Sequence, residues 1–276
     1  PYDLNEVTSD PNILRILVSG NSTSFWGASS NENTWPALLQ RFLNERPNWT
    51  KKRYQKVIVF NSAVFTHTLS QEVKRFFEET TYLNPNMVIS FTNENRFKLD
   101  YAGNPVDYSR HGVQRLLENR VWIDRLFRDS RWMPYTFTLL SNFRQNRARE
   151  YTYRSPKYVQ NSAAYFFQAQ MKQFHSLASA RGQSFLWVIP PNTAFCDEAP
   201  NLDPKIYDSL KNYRVEGDSC HASFFRFKKE VEPLLREKWV FDISCAFQGH
   251  FSENHRDFFH FNDNGHVKIA ELIYQR

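Results

Sequence analysis

The chain has 276 residues, of which 41% are hydrophobic and 23% are charged, and its net charge at pH 7 is +6. A chain of this length and composition can bury a full hydrophobic core, which argues against global disorder. No apolar run approaches the roughly 20 residues that a membrane-spanning helix needs. A segment that precedes Pro1 would still allow membrane association. We therefore expect one globular domain over residues 1–276.

Short apolar runs alternate with stretches of helical periodicity along the chain. The apolar runs predict five strands, at about 13–18, 56–60, 87–91, 184–189 and 238–243. One helix is predicted to begin at 34–36 and another to follow Ser70 as its N-cap, and further helices to cover about 161–181, 222–237 and 264–275. This alternation predicts an α/β fold, a three-layer α/β/α sandwich around a parallel sheet of about five strands.

A serine lies in the loop that follows the first predicted strand. Ser22 comes two residues after Gly20, and a glycine allows the backbone to turn sharply. Because ligands bind at the carboxyl ends of the strands in such sheets, Ser22 can face a cleft. Taken alone, this stretch would be interpreted as a polar turn after a strand.

The far end of the chain supplies the partners that a nucleophilic serine needs. Asp257 precedes His260 by three residues, and residues at this spacing lie on the same face of a helical turn. Asp257 can then orient the imidazole ring and select its tautomer, as a serine triad requires. The two stretches together predict Ser22, His260 and Asp257 as a catalytic set.

Four stretches of the sequence resemble, in order, the four conserved blocks of the SGNH (GDSL-like) hydrolase family. The loop of Ser22 and the segment of Asp257 and His260 are similar to the first and last blocks. Residues 56–64 are similar to the second block, and residues 84–94 to the third. The resemblance covers nearly the whole chain, and it implies a flavodoxin-like fold and an esterase that forms a covalent acyl-enzyme on Ser22.

The same resemblance implies an oxyanion hole, a set of donors for the negative charge on the carbonyl oxygen. Its donors would be the backbone N–H groups of Ser22 and Ala63 and the side-chain amide of Asn93, with Asn95 competing for the last role. Asn21 stands where the family commonly has aspartate, and we expect it to form hydrogen bonds within its loop.

Three further positions depart from the family pattern. Ala63 and Phe91 replace glycines, and Glu94 replaces an aspartate. A backbone N–H survives at Ala63, so we expect these changes to affect the shape of the cleft more than its chemistry.

The cysteines and the remaining histidines predict no metal site and no cofactor. Cys196, Cys220 and Cys245 lack zinc-ligand spacing. The predicted fold places them near one sheet edge, so one disulfide with a free thiol and three reduced thiols are both open. A disulfide would favour a secreted or periplasmic protein. His67 and His266, which lie near the blocks, either line the cleft or pack elsewhere. His250 and His255 lie in a polar loop.

A long segment, 95–159, separates the third strand from the next helix and is interpreted as an insertion or cap. Residues 110–157 hold 11 Lys or Arg and only 4 Asp or Glu, interleaved with aromatic residues. Such a surface suits anionic groups, sugar rings or single-stranded nucleic acid, or it is a solvated helix face over an aromatic core. No nucleic-acid-binding motif is present, and no nucleic-acid partner is expected.

The combined features predict a serine esterase or deacylase. Its substrate would be a short acyl ester, such as an O-acetyl group, on a carbohydrate or another acylated small molecule. An O-acyltransferase would use the same residues, with an alcohol replacing water at the acyl-enzyme. A non-catalytic module that binds an anionic polymer through the basic insertion is the alternative from another class.

Overall fold

The structure, a computed structural model, describes residues 4–46, 53–65, 67–92, 162–192, 214–215, 218–257 and 260–276. Within these ranges the side chains of 4, 6, 162–166 and 214–226 are not described. Asn93, Asn95, Cys196 and the predicted insertion at 95–159 therefore lie outside the described residues.

Parallel strands form the central sheet. These are β1 (Ile13–Gly20), β2 (Lys56–Asn61), β3 (Met87–Phe91), β4 (Ser184–Ile189) and β7 (Val240–Asp242). They lie in the order β2-β1-β3-β4-β7, and every neighbouring pair is parallel. A separate antiparallel hairpin, β5 (Arg214–Val215) and β6 (Asp218–Ser219), precedes the last strand. The predicted five-stranded parallel sheet is confirmed.

Helices cover both faces of this sheet. The described helices are α1 (Leu4–Ser9), α2 (Trp35–Glu45), α3 (Leu69–Arg75), α4 (Ser162–Ala180), α5 (Cys220–Leu235), α6 (Phe251–Asn254) and α7 (Asp263–Gln275). β1 is buried along its whole length, as expected of a strand covered on both faces. Leu17 packs in the core shared with α3, α4 and α5, whereas Val18 packs in the core shared with α2 and α7. The predicted α/β/α sandwich is confirmed. None of the described helices is long and apolar enough to cross a bilayer.

The start of α3 differs from the sequence-based prediction. Ser70 was expected to cap this helix, but the helix begins at Leu69 and Thr68 is its N-cap. The Gln71 side chain accepts a hydrogen bond from the Thr68 backbone N–H at 2.9 Å, which satisfies a donor that the helix itself cannot satisfy. The helix passes into a wider π turn over Phe76–Thr80, in which Phe76 is buried while Phe77 is 52% exposed.

Cys245, in the turn after β7, is disulfide-bonded. Of the two cysteine alternatives, the structure therefore has a disulfide. The side chains of Cys196 and Cys220 lie outside the described set. Lys228 of α5 extends its ammonium group to 3.6 Å from the Cys245 sulfur and 3.2 Å from the Ser244 hydroxyl.

Candidate active site

Ser22, His260 and Asp257 form a continuous hydrogen-bonded chain. The Ser22 Oγ lies 3.0 Å from the His260 Nε2. The His260 Nδ1 lies 2.9 and 2.8 Å from the two carboxylate oxygens of Asp257. An ionised carboxylate only accepts hydrogen bonds, so Nδ1 carries the proton and Nε2 of the neutral ring accepts from the serine hydroxyl. The sequence-predicted residues thus meet in the arrangement that makes a serine nucleophilic.

The backbone at Asp257 and at His260 differs from the expected helical turn. Neither residue is helical. The backbone N–H of Arg256 donates to the His260 carbonyl at 2.8 Å, and the His260 N–H donates to Asp257 Oδ1 at 2.9 Å. An isolated bridge between His255 and Phe261 joins the chain on either side of the two residues. The aspartate therefore holds both the backbone and the ring of the same histidine.

The Ser22 loop is ordered by its own polar groups. Asn21 Oδ1 accepts from the Thr23 backbone N–H at 3.1 Å and from the Thr23 hydroxyl at 2.8 Å, which confirms that Asn21 bonds within its loop. The Trp26 N–H donates to the Ser22 carbonyl at 2.7 Å. Gly20 ends β1, and a Cβ there would lie 2.6 Å from the Ser24 Oγ and 2.7 Å from the Phe91 carbonyl oxygen. Close approach of both the Ser22 turn and β3, rather than a positive φ, is thus the reason for this glycine.

The last helix ties the Ser22 loop to the histidine segment. Asp263, in the first turn of α7, accepts from the Ser29 backbone N–H at 2.8 Å and from its hydroxyl at 2.6 Å. These bonds to Ser29 are the main cause that lowers the pKa of Asp263. The Trp35 backbone N–H donates to the buried His266 Nδ1 at 3.2 Å. The helix that follows the His260 segment therefore anchors the chain that follows the Ser22 loop.

The predicted oxyanion residues lie at the carboxyl edge of the sheet as far as the structure describes them. Ser22 begins a 3-10 turn directly after β1, and Ala63 follows β2. The loop of Ala63 is bound to β1, because the Ser62 N–H donates to the Val18 carbonyl at 2.9 Å. The Ala63 N–H donates to Asn61 Oδ1 at 3.1 Å. Asn93 lies outside the described residues, one position after Thr92.

A buried carboxylate beneath this edge was missed by the sequence analysis. Glu72 of α3 is 1% exposed, and its oxygens lie 2.7 and 2.6 Å from the Thr92 hydroxyl and 3.3 Å from the Ser19 hydroxyl. The Trp187 indole N–H donates to the Thr92 carbonyl at 3.1 Å. These contacts fix Thr92 where β3 ends. The available signal was the spacing of Glu72 from the inward-facing Leu69 and Phe76.

Two other histidines are buried and neutral. His266 is fully buried, and burial lowers its pKa to about 4, with the Trp26 backbone opposing part of the shift. It packs inside the protein and does not line a cleft. His255 was expected in a polar loop, but it stacks on Phe251 with ring centroids 4.0 Å apart. Burial lowers its pKa to about 3. His67 is partly buried, and its pKa is lowered mainly by that burial.

An open cleft of about 410 Å³ borders the loop of Ala63. Its lining residues are Phe25, Asn31, Thr34, Pro36, Ala37, Gln40, Val59, Asn61 and Ala63. None of these side chains is charged, so the cleft suits a neutral ligand with apolar and hydrogen-bonding parts.

Phe91, at the position of a family glycine, does not line this cleft and is fully buried against Trp35, with ring centroids 4.8 Å apart. Among the described residues, no group of three or more His, Cys, Asp or Glu side chains converges as a metal site.

No protein-family model matches the chain, and no curated protein matches it in sequence. Among solved structures, a lipase/acylhydrolase from Enterococcus faecalis is similar, with a TM-score of 0.52 and 13% identity over 95% of this chain and 94% of that chain. An acetyl xylan esterase matches with a TM-score of 0.51 and 12% identity over 95% of this chain and 98% of its own. A catalytic mutant of an acetylxylan esterase from Geobacillus stearothermophilus matches with a TM-score of 0.51 and 11% identity, over 95% and 93% of the two chains. At these identities the likeness is one of fold, and it confirms the SGNH-like fold class predicted from the sequence.

Proposed function

We propose that this chain is an SGNH-type serine ester hydrolase that removes a short acyl group from a carbohydrate or another acylated small molecule. The observation that carries the proposal is the hydrogen-bonded chain from Ser22 through His260 to Asp257. Each member has the partner that its role requires, and the three come from opposite ends of the sequence. A turn serine or a structural histidine would need no such set.

In the first half of the reaction, Ser22 Oγ attacks the ester carbonyl carbon while His260 Nε2 takes the hydroxyl proton. Asp257 holds the ring by Nδ1 and stabilises the imidazolium that forms. His260 then gives the proton to the departing alcohol oxygen, and the acyl group stays on Ser22 as an ester. In the second half, His260 deprotonates a water molecule that attacks this ester, and the proton returns to Ser22.

The negative charge that develops on the carbonyl oxygen needs preorganised donors. We assign this role to the backbone N–H groups of Ser22 and Ala63 and to the Asn93 side chain. Each such donor is typically worth about 2.7–4 kcal/mol of barrier. Because the Ala63 N–H faces Asn61 Oδ1, this donor must turn from Asn61 towards the substrate, or be shared, when the oxyanion forms.

The substrate class is supported by the neutral lining of the cleft at Ala63 and by fold neighbours that are acetyl xylan esterases. Uncharged amide and hydroxyl groups beside apolar surface suit a neutral ester better than a charged one. A small acetyl group would leave most of the recognition to the alcohol half of the ester.

The test is labelling by a fluorophosphonate together with hydrolysis of a chromogenic acetyl ester. We expect Ser22→Ala to abolish labelling and to reduce kcat by several orders of magnitude, because the nucleophile is lost while the fold persists. Ser24→Ala is the matched control. Ser24 lies in the same turn, and its buried hydroxyl has no hydrogen-bond partner within the described structure.

Full activity in a folded Ser22→Ala protein would contradict the mechanism. Adding an alcohol acceptor to the acetyl ester assay separates hydrolase from acyltransferase, since transfer yields a new ester in place of free acetate. Acetate as the main product supports the hydrolase. Binding of an anionic polymer without labelling of Ser22 would instead support the non-catalytic module.

A further inference from the structure

Two aromatic side chains are exposed beside the proposed base. In the described part of the chain the large hydrophobic side chains that are exposed are Trp26, Phe65, Phe77 and Tyr82. Trp26 and Phe65, 45% and 49% exposed, contact each other with ring centroids 5.4 Å apart. Trp26 also lies against His260, with ring centroids 5.9 Å apart. Exposing two large rings is unfavourable in water, so their position next to the catalytic histidine needs a reason.

The backbone beneath the Trp26 indole is held in place although the side chain is exposed. The Trp26 N–H donates to the Ser22 carbonyl at 2.7 Å. The next residue, Gly27, has φ of +100° and packs so closely on Phe261 that a Cβ would collide with its carbonyl oxygen. Trp26 is thus fixed between the nucleophile and the residue that follows the base. A preorganised aromatic surface loses little freedom when a ligand covers it.

The chemistry of the reaction decides which part of the ester reaches this surface. His260 must come within hydrogen-bond distance of the leaving oxygen in order to protonate it. The alcohol half of the ester therefore lies on the His260 side of Ser22, where Trp26 and Phe65 are exposed. The acyl half extends from the carbonyl carbon in another direction.

We propose that Trp26 and Phe65 form the subsite for the alcohol half of the ester, and that this alcohol is a pyranose sugar. The inference rests on the proposed ester hydrolase activity, and it identifies the leaving group. The face of an aromatic ring is electronegative and attracts the electropositive C–H groups that a pyranose presents on one face. The two rings are tilted by 56° to each other, so they offer a shallow aromatic corner rather than a slot for a flat aromatic ligand.

The test compares two esters that share the acetyl group and differ in the alcohol. One is a peracetylated methyl xylopyranoside and the other is ethyl acetate, with acetate release measured for both. We expect Trp26→Ala to lower the ratio of the two kcat/KM values about tenfold, mainly through KM for the sugar ester. Trp26→Phe keeps an aromatic face and should retain most of the ratio. Phe65→Ala should lower it less, because Phe65 packs on Trp26 while Trp26 itself contacts His260.

Tyr82→Ala is the control, since Tyr82 is 65% exposed but lies in the turn that precedes β3, and it should leave the ratio unchanged. An unchanged ratio in Trp26→Ala, or an equal loss on both esters, would overturn the sugar subsite while leaving the esterase proposal intact. If Trp26→Ala does not fold, the sugar subsite is tested instead by inhibition of ethyl acetate hydrolysis with methyl xylopyranoside. Inhibition that weakens in Phe65→Ala and persists in Trp26→Phe supports the subsite, and absence of inhibition in the parent protein overturns it.

Failure of the proposed function has a different outcome. The parent protein would then cleave neither ester and would resist the fluorophosphonate. In that case, calorimetry with methyl xylopyranoside would still test whether the Trp26 and Phe65 surface binds a sugar. Binding that Trp26→Ala abolishes would support the sugar site, and no binding would overturn it.

Discussion

His260 is held by an aspartate that is itself half in water. The Asp257 side chain is 49% exposed, whereas that of His260 is 16% exposed. Solvent weakens the charge–charge part of this pair, but it does not weaken the geometric constraint. Asp257 binds the histidine at three points, through both carboxylate oxygens to Nδ1 and through Oδ1 to the backbone N–H. Orientation of the ring is therefore the main contribution that we expect from Asp257.

This arrangement predicts the effect of Asp257→Asn. The amide loses the charge that stabilises the imidazolium and can present an N–H to the ring, which favours the wrong tautomer. We expect kcat to fall by about 10²–10⁴ at neutral pH, the upper end being the loss seen when a buried triad aspartate is replaced in this way. Activity across pH 6–8 is the measurement. Glu253→Gln, the same change of charge on a side chain that is 62% exposed, is the control, and an intact rate in Asp257→Asn would remove Asp257 from the triad.

Residue identity and spacing were sufficient to predict that Ser22, His260 and Asp257 come together, because the proposed chemistry needs these residue types. The same reasoning missed Glu72, Trp26 and His255. Each has an ordinary side chain whose importance comes from where tertiary packing places it: under β3, beside His260, or within an aromatic cluster. Burial of a glutamate and exposure of a tryptophan both oppose the average preference of these residues, so composition and periodicity point the wrong way.

At the scale of elements, the site depends on how the Ser22 loop docks against the segment of His260. Gly27 is the point of closest approach, because its φ of +100° disfavours a side chain and the Phe261 carbonyl occupies the place of a Cβ. Gly182, after α4, also has a positive φ, of +72°, but a Cβ there would meet nothing within 4 Å. Alanine substitutions at the two glycines therefore separate the effect of backbone strain from the effect of a collision at the site.

We expect Gly182→Ala to cost about 1 kcal/mol of unfolding free energy through backbone strain alone and to leave esterase activity unchanged. Gly27→Ala should cost more, about 2–4 kcal/mol, because the alanine must also push Phe261 away. The shift displaces His260, so kcat should fall at least tenfold in the folded fraction. Urea denaturation and active-site titration with a fluorophosphonate measure the two effects. Equal behaviour of the two variants would show that the contact with Phe261 does not position the base.

Element boundaries were predicted well where burial sets them and less well where local contacts do. β3 and β4 have the bounds that their apolar runs predict. Asp257 and His260 were expected on a helical turn, but neither is helical, and a bridge between His255 and Phe261 joins the chain on either side of them. The i to i+3 spacing suits both geometries, since it only requires the two side chains to come together. The pairing was therefore predictable although its backbone was not.

At the scale of the whole molecule, the alternation of apolar strands with helices was enough to predict the sheet. The effect of tertiary burial on charge was not predictable. His255 and His266 are 6% and 0% exposed, and burial lowers their pKa values to about 3 and about 4. Both rings are therefore neutral in the folded protein at pH 5, whereas an exposed histidine in the unfolded chain has a pKa of about 6.5.

The difference between the folded and unfolded pKa values of His255 and His266 predicts that acid destabilises the fold. Between pH about 6.5 and about 4, the unfolded chain binds protons at these two positions that the folded chain does not bind. Stability rises with pH wherever the unfolded state binds more protons. The contribution of each histidine is therefore complete above pH about 6.5 and is lost as the pH falls below it. We expect each to lower the unfolding free energy by about 1.5 kcal/mol between pH 7 and pH 5.

Urea denaturation at pH 7 and pH 5, followed by circular dichroism, measures this loss, and two substitutions assign it. His255→Phe keeps an aromatic ring against Phe251 and cannot be protonated. His266→Asn places an oxygen near the position of Nδ1, so it can still accept from the Trp35 N–H. Each variant should lose less stability on acidification than the parent, by about 1.5 kcal/mol, whatever its stability at pH 7.

His250→Gln is the control, because the His250 side chain is 61% exposed. If both variants lose as much stability as the parent, carboxylates rather than buried histidines cause the acid sensitivity. If only His255→Phe flattens the dependence, burial does not keep His266 neutral between pH 7 and pH 5.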